Sequence, residues 1–168
     1  MKEDTLRVHG KIFKRQFLID NEIRYPDEME VSGDMMYLWL VYSLTKKIVW
    51  IENNFYIWKW NDNSVTRKNG KYFSVLTFGN TLKCYMLLAE DLKRRNRLDI
   101  YRNLIPTLFA MIYVEMTHPI WKEAPKDAQQ QARAAAINCL SKYFNDYKII
   151  DEEFCKIRYN FMLEYVHG

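Results

Sequence analysis

From Phe78 onward, apolar residues recur at steps of three and four, and this period constrains the fold more than any other feature of the chain. Phe78, Leu82, Tyr85, Ala89 and Leu92 form one series, and Leu98, Tyr101, Ile105, Leu108, Ile112 and Met116 a second. A third joins Ala132, Ala136, Cys139, Tyr143 and Tyr147, and a fourth Phe154, Ile157, Phe161 and Tyr165. Side chains three and four apart share a helix face, so each series predicts an amphipathic helix. The second contains Pro106, which either kinks one helix or starts a new one after Asn103, and His118 and Pro119 close it. The third is expected over residues 127–147 behind Pro125, with small residues that allow close helix approach, and the fourth over 152–166.

The preceding residues follow other rules. A short helix is expected over 14–20, ending at Asn21, before extended Ile23, Arg24 and Tyr25 and the breaker Pro26. Ser32 and Gly33 suit a turn, and Asp34 suits the N-cap of a helix reaching about Leu44. The runs KIVWIE and NFYIWKW are β-branched and aromatic and are parted by Asn53 and Asn54, a pattern that predicts two strands joined by a tight turn. RKNGK then supplies a turn. The predicted fold class is mixed α/β and mostly helical: a helix-strand-helix-hairpin half over residues 1–71, followed by a four-helix, bundle-like tail over 72–168.

Composition removes several classes. With 49% hydrophobic and 27% charged residues, only 5 Gly and 4 Pro, the chain is neither collagen-like nor wholly disordered. The net charge of +4 is spread over interspersed signs, which predicts no nucleic-acid partner. The one basic run, Lys93 to Arg97, follows a helix end, where cations meet the negative end of the dipole. Cys84, Cys139 and Cys155 are odd in number and lack a CxxC pattern, which fits a reduced, cytoplasmic setting. No apolar stretch approaches the ~18 residues of a membrane span, and the first ten residues lack a signal core. There is no P-loop, dinucleotide fingerprint, HExxH or Ser-His-Asp order.

Residues 8 to 67, about a third of the chain, carry an ordered set of features. His9, Gly10 and Lys11 precede Lys14, Arg15, Phe17 and Leu18. Asn21, Ile23, Arg24 and Tyr25 follow, then a turn whose carboxylate, Asp34, opens a helix. An aromatic run and the Ser64-Val65-Thr66 tail complete the order. The segment resembles the C-terminal half of the catalytic domain of family-two glycosyltransferases of the GT-A type. That resemblance implies the acceptor side of an inverting enzyme, which moves a sugar from a nucleotide-sugar donor to a carbohydrate or protein acceptor hydroxyl. It assigns Asp34 as general base. The family usually has two acidic residues where this chain has Gly33 and Asp34.

The resemblance also implies a divalent metal, Mg or Mn, held in the complete enzyme by an Asp-x-Asp of the donor-binding half. No Asp-x-Asp occurs here, so this chain is expected to hold no metal and to be inactive or weak without that half. Read from local sequence, Asp34 also suits helix capping, and the two uses are compatible. Trp58 and Trp60 share a strand face and suit either a sugar ring or a core. Arg67 suits a diphosphate or a solvated loop, and His9 the acceptor side or a backbone-bonded turn. The alternative function is a non-catalytic helical module that forms homo-oligomers through its aromatic tail.

Overall fold

The computed structural model describes residues 8–27, 29, 31–49, 51, 56–57, 59–64, 67 and 70–150. Among these, every regular element is helical: α1 (Arg15–Asp20), α2 (Gly33–Leu44), a 3-10 turn (Gly70–Tyr72), α3 (Phe73–Arg94), α4 (Leu98–Thr117), α5 (Pro119–Glu123) and α6 (Lys126–Ile150). The mixed α/β class is therefore corrected, because the described residues contain no strand and no sheet. The described residues of the two β-branched runs lie outside any ladder, with Val49 67% and Ile57 81% exposed. A strand leaves its backbone groups unpaired until a neighbour joins it, and here none does among the described residues. The expected helix over 152–166 lies outside the described residues, as does Cys155.

The three long helices α3, α4 and α6 pack on one another, and α2 lies on α3. Their contact surfaces are the periodic series. Phe78, Leu82, Tyr85, Ala89 and Leu92 are buried, as are Tyr101, Ile105, Leu108, Ile112, Met116, Ala132, Ala136, Cys139, Tyr143 and Tyr147. Phe109 stacks on Tyr147 with ring centroids 4.1 Å apart. Where α3 crosses α6, Gly79 faces Ala135, and a Cβ built on the glycine would sit 3.6 Å from that of Ala135. Both partners are small, as close helix approach requires.

α4 runs unbroken through Pro106. The proline lacks an N–H, so the Arg102 carbonyl loses its usual intrahelical donor. After His118 the sequence starts α5, a turn of helix not foreseen from periodicity. His118 Nδ1 accepts from the Ile120 N–H at 3.2 Å, Pro119 takes the first helical position, and Trp121 is buried edge-on against Phe78.

α2 is apolar almost all round, which a surface helix is not. It is covered on both sides: Leu40 and Val41 join the bundle core, while Phe13 packs edge-on against Tyr37 at 5.4 Å. Ile23 enters the same core from the stretch between α1 and α2. Arg97 donates to the Ser43 carbonyl at the far end of α2, tying it to the start of α4. Residues from both sides of the RKNGK segment thus share one hydrophobic cluster.

Candidate functional site

The site is set by how α2 begins. Ser32 adopts a left-handed backbone, φ 67°, and its carbonyl accepts the Met35 and Met36 N–H groups at 3.1 and 3.4 Å. Ser32 is therefore the N-cap, and the expected capping role of Asp34 is corrected: Asp34 lies inside the first turn. The Ser32 side chain makes no capping hydrogen bond to this end. The Ser32 hydroxyl instead shares a 3.0 Å hydrogen bond with Thr81 Oγ1 on α3. Asp34 Oδ1 accepts from the Met35 N–H at 2.9 Å. A first-turn carboxylate sits favourably at the positive end of the helix dipole. Its side chain is half-buried, with one oxygen committed to the backbone.

Tyr25 reaches this turn from the extended stretch before Pro26. A Cβ on Gly33 would meet Tyr25 Cε1 at 3.0 Å, Tyr25 Cζ at 3.1 Å and Pro26 Cγ at 3.1 Å. A side chain at position 33 would require the ring to give way by a few tenths of an ångström. The pKa of the Tyr25 hydroxyl is raised above 10.0, first by burial, then by the Asp34 charge and by Cys84, with the Asp34 backbone pulling the other way. Burial, and then Asp34, pushes the Cys84 thiol up to about 11, so this cysteine stays protonated and unreactive at neutral pH.

The remaining expected site residues form two other groups. His9 is exposed and stacks on Tyr56, ring centroids 5.1 Å apart and 14° from parallel. Trp60, 70% exposed, carries the Arg67 guanidinium 3.4 Å from its ring centroid. Arg67 also donates to the Asn61 carbonyl at 2.7 Å, and Trp60 Nε1 to Asp62 Oδ1 at 2.5 Å. Asn61 Oδ1 accepts the Asn63 N–H, closing an Asx turn. Trp58 lies outside the described residues. No described hydrogen bond, ion pair or ring contact joins Asp34 to His9, Trp60 or Arg67. Among the described residues no three His, Cys, Asp or Glu side chains converge as metal ligands, so these residues do not assemble a divalent-metal site.

The basic run begins in the last turn of α3 and is engaged by the structure. Lys93 pairs with Asp146 at 2.8 Å, Arg94 with Asp91 at 2.5 Å and Glu22 at 3.4 Å. Tyr101 also donates to Asp146, while Tyr143 donates to Glu90 at 2.8 Å. The aromatic rings of the tail that suggested self-association, Tyr85, Tyr101, Phe109, Trp121, Tyr143 and Tyr147, are buried in the bundle. The contact missed in the sequence is Tyr25 on Gly33. Its one signal in the sequence is Gly33 itself, a glycine at the opening of a helix.

Comparison with family models, curated proteins and solved structures finds no match to this chain. Among the described residues no helix is long and apolar enough to cross a membrane.

Proposed function

We propose that this chain is the acceptor-side part of a family-two, GT-A-type glycosyltransferase, which acts when joined to a donor-binding half that supplies the nucleotide-sugar site. The observation that carries this reading is the contact between two separate pieces of the ordered segment. Tyr25, from the Asn-x-Ile-Arg-aromatic stretch, closes onto Gly33, in the turn that opens α2 just before Asp34. Two pieces of the ordered set thus meet at one corner, which holds a half-buried carboxylate with one oxygen 2.9 Å from the Met35 nitrogen. In this reading Asp34 takes the proton of the acceptor hydroxyl as its oxygen attacks the anomeric carbon and the nucleoside diphosphate leaves with the bonding electrons. The exposed apolar residues Ile48, Val49, Ile51, Ile57 and Trp60 also fit a surface that a further part of the enzyme covers.

The test joins the chain to a GT-A donor-binding half and follows nucleoside-diphosphate release from nucleotide sugars in the presence of glycan acceptors. Turnover should require both parts. Asp34→Asn should lower it about 10²- to 10⁴-fold. Near wild-type turnover in that variant would remove Asp34 as base. Calorimetry on this chain alone should show weak or absent binding of nucleotide sugars with Mn²⁺, and micromolar, metal-dependent binding would contradict the need for a second half.

A further inference from the structure

We propose that the groove between α3 and α6 is a self-association surface, on which a second copy of this chain docks about a two-fold axis beside Leu87. The inference stands apart from the reading of Asp34. The groove has a volume of about 360 Å³ and is lined by Gly79, Leu82 and Met86 of α3 and by Ala135 of α6. Leu87 lines it as well and is 38% exposed. The outer face of α6 beside it is also unlike a solvated one. From Ala134 to Ser141 the helix carries no charged residue, although Ala134, Ile137, Asn138 and Ser141 are exposed. A helix face turned permanently to water is normally polar and charged.

The charges decide which occupant fits. Lys83, Leu87 and Glu90 are spaced four and three residues apart and so share one face of α3. Lys83 and Glu90 are exposed, opposite in sign, and equally far along the helix from the point between Met86 and Leu87. In a two-fold contact, residue i meeting j repeats as j meeting i. An axis through that point, with the two α3 helices antiparallel, therefore sets Lys83 of each copy opposite Glu90 of the other. Both ion pairs form together, and Leu87 of each copy lies beside the axis, against the apolar groove of the other. Glu90 has room for a second cation: its bonds from Tyr143 at 2.8 Å and Lys142 at 3.1 Å both use Oε1, and its side chain is 48% exposed. A partner with a face of one sign would meet one matched and one repelled charge on α3. The tail aromatics are buried and take no part in this contact.

Light scattering and sedimentation of the full chain test it. Dimer should be populated at about 100 μM chain, as for a small, partly polar interface. Lys83→Glu sets like charges opposite each other in both pairs and should weaken the dimer about tenfold or more. Lys83→Glu combined with Glu90→Lys exchanges the signs and should return the dissociation constant to within about threefold of the wild type. Leu87→Lys should weaken it about tenfold or more, by putting a charge beside the axis. Glu90→Lys also removes the bonds from Lys142 and Tyr143, so a thermal melt accompanies the double variant. Crosslinking locates the axis without touching Glu90. In a Cys155→Ser background, with oxidised glutathione as the oxidant, Leu87→Cys should give a covalent dimer, whereas Val114→Cys, at a 61% exposed position of α4, should not. A wild-type monomer at about 1 mM would overturn the proposal. So would a dimer that survives both Lys83→Glu and Leu87→Lys, a folded double variant that stays weakened, or crosslinking through Val114→Cys equal to that through Leu87→Cys.

Discussion

The α3–α4–α6 bundle and the segment after α2 are both rich in apolar residues, yet their described apolar side chains have opposite fates. Leu82, Leu108 and Ala136 are wholly buried, whereas Val49 and Ile57 are mostly exposed. The difference lies in where each element finds its hydrogen-bond partners. A helix satisfies its backbone within itself and needs only another apolar stripe to bury its own, and this chain supplies three. A β-branched run needs a second strand before its backbone can leave water. Among the described residues, no such ladder forms here. Strong local propensity therefore does not make a strand without a neighbour.

Replacing core aromatics should produce the largest losses on the bundle side of this comparison. Phe109→Ala removes a fully buried ring stacked on Tyr147 and should cost about 3 to 5 kcal/mol in urea denaturation. Pro106→Ala works in the opposite direction. It restores an N–H to the middle of α4 and should stabilise the chain by about 1 to 3 kcal/mol, provided the half-buried site accepts the smaller side chain. A loss of stability would mean that the proline ring's packing outweighs the missing hydrogen bond.

Acid should loosen the bundle through two carboxylates. Hydrogen bonds from Tyr143 and then Lys142 hold Glu90 below its usual 4.5. Burial pushes Asp146 upward, but the bonds from Lys93 and Tyr101 outweigh it and leave Asp146 below 3.8. In the unfolded chain both groups take up protons at higher pH than in the folded one. Their contribution is thus complete above the usual values and disappears as pH falls through the lowered folded ones. Thermal melts between about pH 5 and pH 2 should show falling stability, with a shallower fall in Asp146→Asn. On the alkaline side Tyr101 is raised from 10.0 to about 12, by burial and then by Asp146, so its contribution holds below pH 10.0 and is lost as pH rises towards 12.

The smallest effects belong to the exposed segment. Val49→Ser and Ile57→Ser should change stability by less than about 0.5 kcal/mol, because neither side chain is withdrawn from water. Light scattering should show equal or lower self-association in both. A loss of several kcal/mol would mean that these residues are buried in solution.

The bundle was legible because its signal is local: the periodic stripes name the buried faces almost residue by residue, from Phe78 to Tyr147. α1 was legible too, with Asn21 as its C-cap. α5 was hidden because five residues are too few for a period, although His118-Pro119 is an N-cap and first-turn pair. The start of α2 was misread by two positions, since a left-handed Ser32 takes the cap while acceptable Asp34 stands nearby. At the site, Asp34 was visible as a carboxylate at a helix opening, but Tyr25 meets the adjacent Gly33 only through space and against a missing Cβ. No pattern within one segment encodes that contact.

Hydrogen exchange of the full chain, measured alone and then with a family-two donor-binding half, tests most directly whether one part is self-sufficient and the other needs a partner. The amides of Leu82, Leu108 and Ala136 should exchange only through global unfolding in both samples. Those of Ile48, Val49 and Ile57 should exchange near the unprotected rate in the chain alone and slow by about tenfold or more when the second half is added. Equal protection of the two sets in the chain alone would contradict this division, as would exchange at Ile48, Val49 and Ile57 that the donor-binding half leaves unchanged.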